Sequence, residues 1–155
     1  MGYINMCLTV NGGSLVDNAN ELARDDDFAT NAFGVSGQNQ SYDGSITFAT
    51  CRISYIKFRG AGATYDYGGD SITSNGTLQL KISGTWTTIA TWTATQGGTW
   101  DTVTGYPGDI ISTGWSDVTG IKFFGNITGG DVNTGNSYCK ELQAWRKLGG
   151  YGGVV

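Results

Sequence analysis

Histidine is absent from this 155-residue sequence, proline occurs once, and only 14% of the residues are charged. Without an imidazole, Ser-His-Asp and Cys-His catalysis are excluded, and so are the common zinc sites. Cysteine is sparse: Cys7, Cys51 and Cys139 show no C-x-x-C spacing, and three thiols cannot all pair within one chain. Buried free thiols are the expectation. No window approaches about eighteen apolar residues, so no transmembrane helix is predicted. Nine Lys and Arg are scattered against thirteen acids, for a net charge of −4. That balance supplies neither the basic stripe a nucleic-acid partner needs nor a polybasic membrane anchor. The opening "MGYINMCLTVNGG" has no basic n-region and no long apolar run, so no signal peptide is expected in this chain. Two origins fit: cytoplasmic synthesis, or a longer precursor that carried the export signal.

Phosphate-binding loops are missing too, since no G-x-x-x-x-G-K-S/T occurs and no G-x-G-x-x-G opens a helix. A glycosidase needs only two well-placed carboxylates. Most of the aspartates, however, lie in contexts such as "YDG", "GGD" and "PGD", where Asp serves turns. No catalysis is expected.

What the sequence does hold is glycine, 26 of them, with abundant Thr, Ser and Asn and with five Trp, eight Tyr and six Phe. These are the residues of sheets and tight turns rather than helices. A chain of this length buries roughly 70% of its unfolded surface in one core. In "SITFATCRISYIKFRG", two strands' worth of chain, Ser54, Ile56 and Phe58 share one face and Tyr55, Lys57 and Arg59 the other. In "TLQLKI", Leu78, Leu80 and Ile82 alternate with polar residues, and Ser83-Gly84 is a two-residue turn into a strand from Thr85 to Thr93. Strict alternation there puts Trp86 and Trp92 together on a core face and leaves Trp100, beyond the "QGG" break, off it. Further strands are expected in "TWDTVTG", from Val118 to Phe124 with Ile121 and Phe123 inward, and in "SYCKELQAW". About eight strands with turn signals every 8 to 12 residues predict an all-β antiparallel β-sandwich or jelly roll. The expected layout is an extended lead-in over 1–20, the sandwich over 21–145 and a glycine-rich tail over 146–155.

Three stretches, "DDDFATNAF", "LQLKISGTWTTIATW" and "KELQAW", carry a likeness in their order and pattern. The chain resembles the discoidin-like domains, the coagulation-factor type C group of the galactose-binding-like β-sandwich, over about residues 21–145. The resemblance implies a structural calcium between the opening loop and the closing Glu, held by Asp25, Asp27, Thr30 and Glu141. Those oxygens suit Ca²⁺, which takes six to eight of them. Sugar-binding members of the family use a His, an Arg and aromatics on loops; that triad is incomplete here for want of histidine.

Two non-enzymatic functions stay open. One is a carbohydrate-binding recognition module, with Tyr65, Tyr67, Trp100, Tyr106 and Trp115 as ligand-binding candidates because they lie in or beside glycine-rich loops. The other is a structural virion protein of a bacteriophage, in capsid decoration, a fibre or a tail appendage. Its Gly-, Thr- and Asn-rich β composition resembles such proteins, its role would be subunit assembly or host attachment, and its partners would be further copies, capsid and tail proteins or a host-surface ligand. Either way the expected location is extracellular or the virion surface.

Overall fold

Alternation shapes the long strands as expected. Along Tyr55–Tyr65, Ile56 and Phe58 are fully buried while Lys57 and Arg59 stay on the other, more open face. In Ile72–Ile82 the same holds for Leu78 and Leu80, and in Trp115–Gly129 for Ile121 and Phe123. This is a computed structural model, and it describes residues 2–27, 29–102, 109–111 and 114–149. Among the described residues are eleven strands: β1 (Tyr3–Asn5), β2 (Ser14–Asp17), β3 (Phe33–Gly37), β4 (Gln40–Ile53), β5 (Tyr55–Tyr65), β6 (Ile72–Ile82), β7 (Thr85–Thr95), β8 (Thr99–Asp101), β9 (Asp109–Ile111), β10 (Trp115–Gly129) and β11 (Thr134–Lys147).

The strands form two antiparallel sheets, the β-sandwich the sequence predicts. In the first sheet β11 is central: β1 and β3 pair along one of its edges, β5 along the other, and β8 and β9 continue beyond β5. The second sheet runs β2-β4-β10-β6-β7. The chain changes sheet between β4 and β5 across Ser54 alone, and the inward positions switch there from odd (Cys51, Ile53) to even (Ile56, Phe58). β6 and β7 form a hairpin whose turn residues, Ser83 and Gly84, have φ of 49° and 83°. Positive φ at both positions matches the twist of the flanking strands.

Between the sheets lie Ile46, Ile53, Ile56, Phe58, Leu78, Leu80, Ile121, Phe123 and Leu142, each fully buried. Each contributes about 1.5–3 kcal/mol by leaving water. Toward the Trp100 end the interior changes character. A Cβ on Gly62 or Gly76 would enter the Trp100 ring, so glycine on both facing strands makes room for one indole.

Three expectations are corrected. Residues 1–20 are no lead-in, because β1 pairs with β11 and β2 with β4, one in each sheet. Trp86 and Trp92 do not share a face. Ile89 is an extra residue in β7, opposite the step from Leu78 to Gln79, and this bulge reverses the alternation. Trp92 therefore stacks inward on Phe58 and Trp100, while Trp86 lies outside with the Lys122 Nζ 4.3 Å from its ring centroid. Trp100 is a core residue, 6% exposed, and its indole N–H donates to Ser74 Oγ at 3.0 Å. Of the tail, Arg146 and Lys147 belong to β11, and residues 150–155 lie outside those described. All three cysteines are free and buried.

Candidate functional site

The outer face of the first sheet is built differently at its two ends. Strand β5 points Arg59, Ala61, Ala63 and Tyr65 outward, a run of about 20 Å at strand rise. The two alanines leave a low floor in the middle of it. On one side β11 raises Asn136, Tyr138 and Lys140; on the other β8 raises Thr99 and Asp101. Asn31 closes the Lys140 end, and the result is a groove of about 340 Å³. That volume lies in the range of sites for small ligands.

Local structure fixes each wall. Tyr138 lies across Gly34 of β3, where a side chain would collide with its ring. Asn136 Nδ2 donates to the Tyr65 hydroxyl at 3.3 Å, which ties one wall to the end of the floor. Lys140 is the extra residue of a bulge between Cys139 and Glu141, and its Nζ donates to Ala29 O at 3.0 Å. Arg59 grips Asp101 with two bonds, Nε to Oδ1 at 3.2 Å and Nη2 to Oδ2 at 3.0 Å. Donors and acceptors thus face a floor of small residues.

Beyond the Tyr65 end, two loops are pinned together. Asn133, wholly buried, accepts from Tyr67 N–H at 2.6 Å and Gly69 N–H at 3.3 Å and donates to Asp70 O at 2.7 Å. Asp131 accepts from the amides of Asp70 and Val132, which holds its carboxyl below the usual range. Tyr67 is 67% exposed on this fixed loop.

Of the aromatic candidates, Tyr65 stands at the groove and Tyr67 on the adjoining loop. Trp100 contributes to the groove's lining with its ring turned into the core. Trp115 opens β10 and packs half-buried against the core, far from a loop role. Tyr106 lies outside the described residues. The sequence reading missed Ala61, Ala63, Thr99, Asp101, Asn136, Tyr138 and Lys140. Ala61 and Ala63 at outward positions of a strand were the available signal, small residues where solvated ones are usual.

At the other end of the same sheet face, residues 21–26, with Asn5 and Leu8, cover β11. Glu141 and Gln143, outward by register, are consequently buried. Glu141 Oε1 accepts from Asp26 N–H at 3.2 Å and from Gln143 Nε2 at 3.0 Å, and its Oε2 has no partner among the described residues. Burial pushes its pKa up to about 8; the two hydrogen bonds oppose this, and the charges of Asp25 and Asp26 add to it. Asp27 and Thr30 turn to each other, Thr30 Oγ1 donating to Asp27 Oδ2 at 2.6 Å, while Asp25 Oδ1 caps Asp27 N–H. Among the described residues no three Asp, Glu, Cys or His side chains converge on one point.

No family model matches the sequence, and no curated protein matches it. Solved structures similar to the chain include the CBM32 of AlyQ in complex with 4,5-unsaturated mannuronic acid. Identity is 20% and the TM-score 0.45, over 84% of this chain and 92% of that one. The family 32 CBM from C. perfringens NanJ in complex with galactose is similar at 15% identity and a TM-score of 0.44, over 86% and 92%. TmCBM61 in complex with β-1,4-galactotriose follows at 11% and 0.36, over 94% and 88%. All three are carbohydrate-binding modules by name.

Proposed function

We propose that the protein is a non-catalytic carbohydrate-binding module whose ligand lies along the outer face of the first sheet. The observation that carries this is the groove over Ala61 and Ala63, with Tyr138 and Tyr65 as ring surfaces and Asn136, Thr99, Asp101 and Lys140 as hydrogen-bonding walls. A sugar presents both kinds of surface at once, hydroxyls at its rim and C–H groups on its faces, and this mix of floor and few fixed polar groups suits it. The Arg59–Asp101 pair keeps the Asp101 carboxylate oriented toward the groove without leaving its charge uncompensated.

The ligands named for the similar modules belong to those proteins; they suggest an acidic uronate and neutral galactose as first probes. A glycan array on the purified protein tests the proposal, with Tyr138→Ala as the control that should lose binding. A blank array, together with oligomers by light scattering, would favour the virion building-block alternative.

A structural calcium at the opening loop is a further part of the proposal. The buried, unpartnered Oε2 of Glu141 beside two aspartates is the kind of oxygen a cation would satisfy. Glu141 and Asp25 would hold the ion, and Asp27 and Thr30 would join only by releasing each other. Bound there, it would supply charge neutralisation and tie residues 25–30 to β11. A rise in melting temperature on adding Ca²⁺, reversed by EDTA, is the expected result.

A further inference from the structure

A second concavity opens at the opposite end of the same sheet face, near the chain's first strand. It is a cleft of about 180 Å³ lined by Asn5, Leu8, Arg24, Asp26, Gln143 and Trp145. Arg24 is fully engaged: it donates to Cys7 O at 2.8 Å and Gly13 O at 3.0 Å and pairs with Glu21. Gln143 is engaged as well, donating to Asp26 Oδ1 and accepting the Trp145 indole N–H at 2.9 Å. These two build the walls.

Asn5 is different. Only 4% of it is exposed, and its Oδ1 accepts from Cys7 N–H at 3.0 Å, which fixes the side-chain amide with Nδ2 as the other group. That Nδ2 has no hydrogen-bond partner among the described residues. It is not closed off from the cleft, so it can donate to whatever enters there. Asp26, exposed on the same cleft, offers an Oδ2 without a partner among the described residues, and its backbone is held at φ 66°. The Trp145 ring, stacked at 5.7 Å on Tyr55, gives a rigid aromatic side, and Leu8 a second apolar one.

From this arrangement we infer that the cleft is a second binding site, for one neutral sugar ring or a small polyol. A donor and an acceptor facing the same space suit neighbouring hydroxyls, and the indole suits a C–H face. The volume is below the roughly 300–1,000 Å³ of sites for larger ligands, so it admits a single ring and not a chain. The neutral class follows from the balance of charge: Asp26 would repel an anion, Lys57, its Nζ 5.5 Å from the Trp145 ring centroid, offsets it, and Arg24 is already spent on Glu21 and two carbonyls.

The test is NMR titration of the full chain with D-galactose, D-glucose and D-mannose at millimolar concentrations, following the Trp145 indole N–H resonance, assigned with Trp145→Phe. Two variants separate site from fold. Asp26→Asn keeps an Oδ1 acceptor for Gln143, tolerates the left-handed backbone and turns the free acceptor into a donor. Leu8→Trp fills the cleft without touching its hydrogen bonds. A saturable shift for at least one sugar, weakened about tenfold or more in both variants, is the expected result. No shift with any of the three, or shifts unchanged in both variants, overturns the inference. A shift abolished by Tyr138→Ala and kept by Leu8→Trp places the sugar in the groove and overturns it also.

Discussion

Replacing Glu141 with Gln should flatten the pH dependence of stability, and the structure sets the size of the effect. Glu141 is fully buried, and its pKa rises from an ordinary 4.5 to about 8 on folding. Below pH 4.5 the carboxyl is protonated in both states and contributes its full share of stability. As pH rises toward 8 the unfolded chain ionises while the folded one keeps its proton, so stability falls throughout that window and levels off above it. A gap from 4.5 to about 8, at about 1.4 kcal/mol per pH unit, is at most about 5 kcal/mol. The assay is urea unfolding followed by tryptophan fluorescence at pH 4.5 to 9 in EDTA, wild type against Glu141→Gln. The variant should lack this downward slope and be the more stable protein at pH 9. Parallel profiles would refute the reasoning, because they would mean that Glu141 is solvated in the folded state. Calcium at pH 8 should restore the wild type and leave the variant unmoved, since a cation binds the ionised form.

Three other outcomes follow from the packing. Trp100→Ala should cost about 3–5 kcal/mol in chemical denaturation, the range for a buried ring, whereas Trp86→Ala on the outer face should cost under about 1 kcal/mol beyond its lysine contacts. Gly62→Ala should be disproportionately destabilising for one methyl group, with lowered Tm, because the new Cβ would meet the Trp100 indole. Ellman's reagent at pH 8 should find no reactive thiol in the native protein and all three after unfolding. Burial pushes Cys7 up to about 12 and Cys139 well above its usual range, and raises Cys51 too.

The sandwich was legible because period-two alternation survives wherever a strand has one wet face, as at Ile56 and Phe58 or Leu78 and Leu80. It failed at one bulge and did not foresee a second. One extra residue at Ile89 sent Trp86 outside, and one at Lys140 placed Lys140 and Glu141 side by side in the strand. No local pattern in "TWTTIATW" or "CKEL" marks either insertion, since a bulge is decided by what the partner strand offers. The burial of Glu141 and Gln143 was equally hidden, because it depends on residues 21–26, with Asn5 and Leu8, folding over β11. The groove draws on β5, β8, β11 and Asn31, separated by up to 109 residues (Asn31 to Lys140), so only the unusual outward alanines hinted at it. Loop position, the criterion behind Trp100 and Trp115, misled because short strands β8 and the start of β10 seat both rings against the core.

Isothermal titration of the wild type and of an Asn136→Ala/Tyr138→Ala variant, against the strongest binder from a glycan array, tests the groove most directly. The account predicts saturable binding by the wild type and loss of at least about tenfold in affinity in the variant at unchanged melting temperature. Equal affinity in the two proteins would contradict it, because the ligand would then be held somewhere other than the floor between β8 and β11.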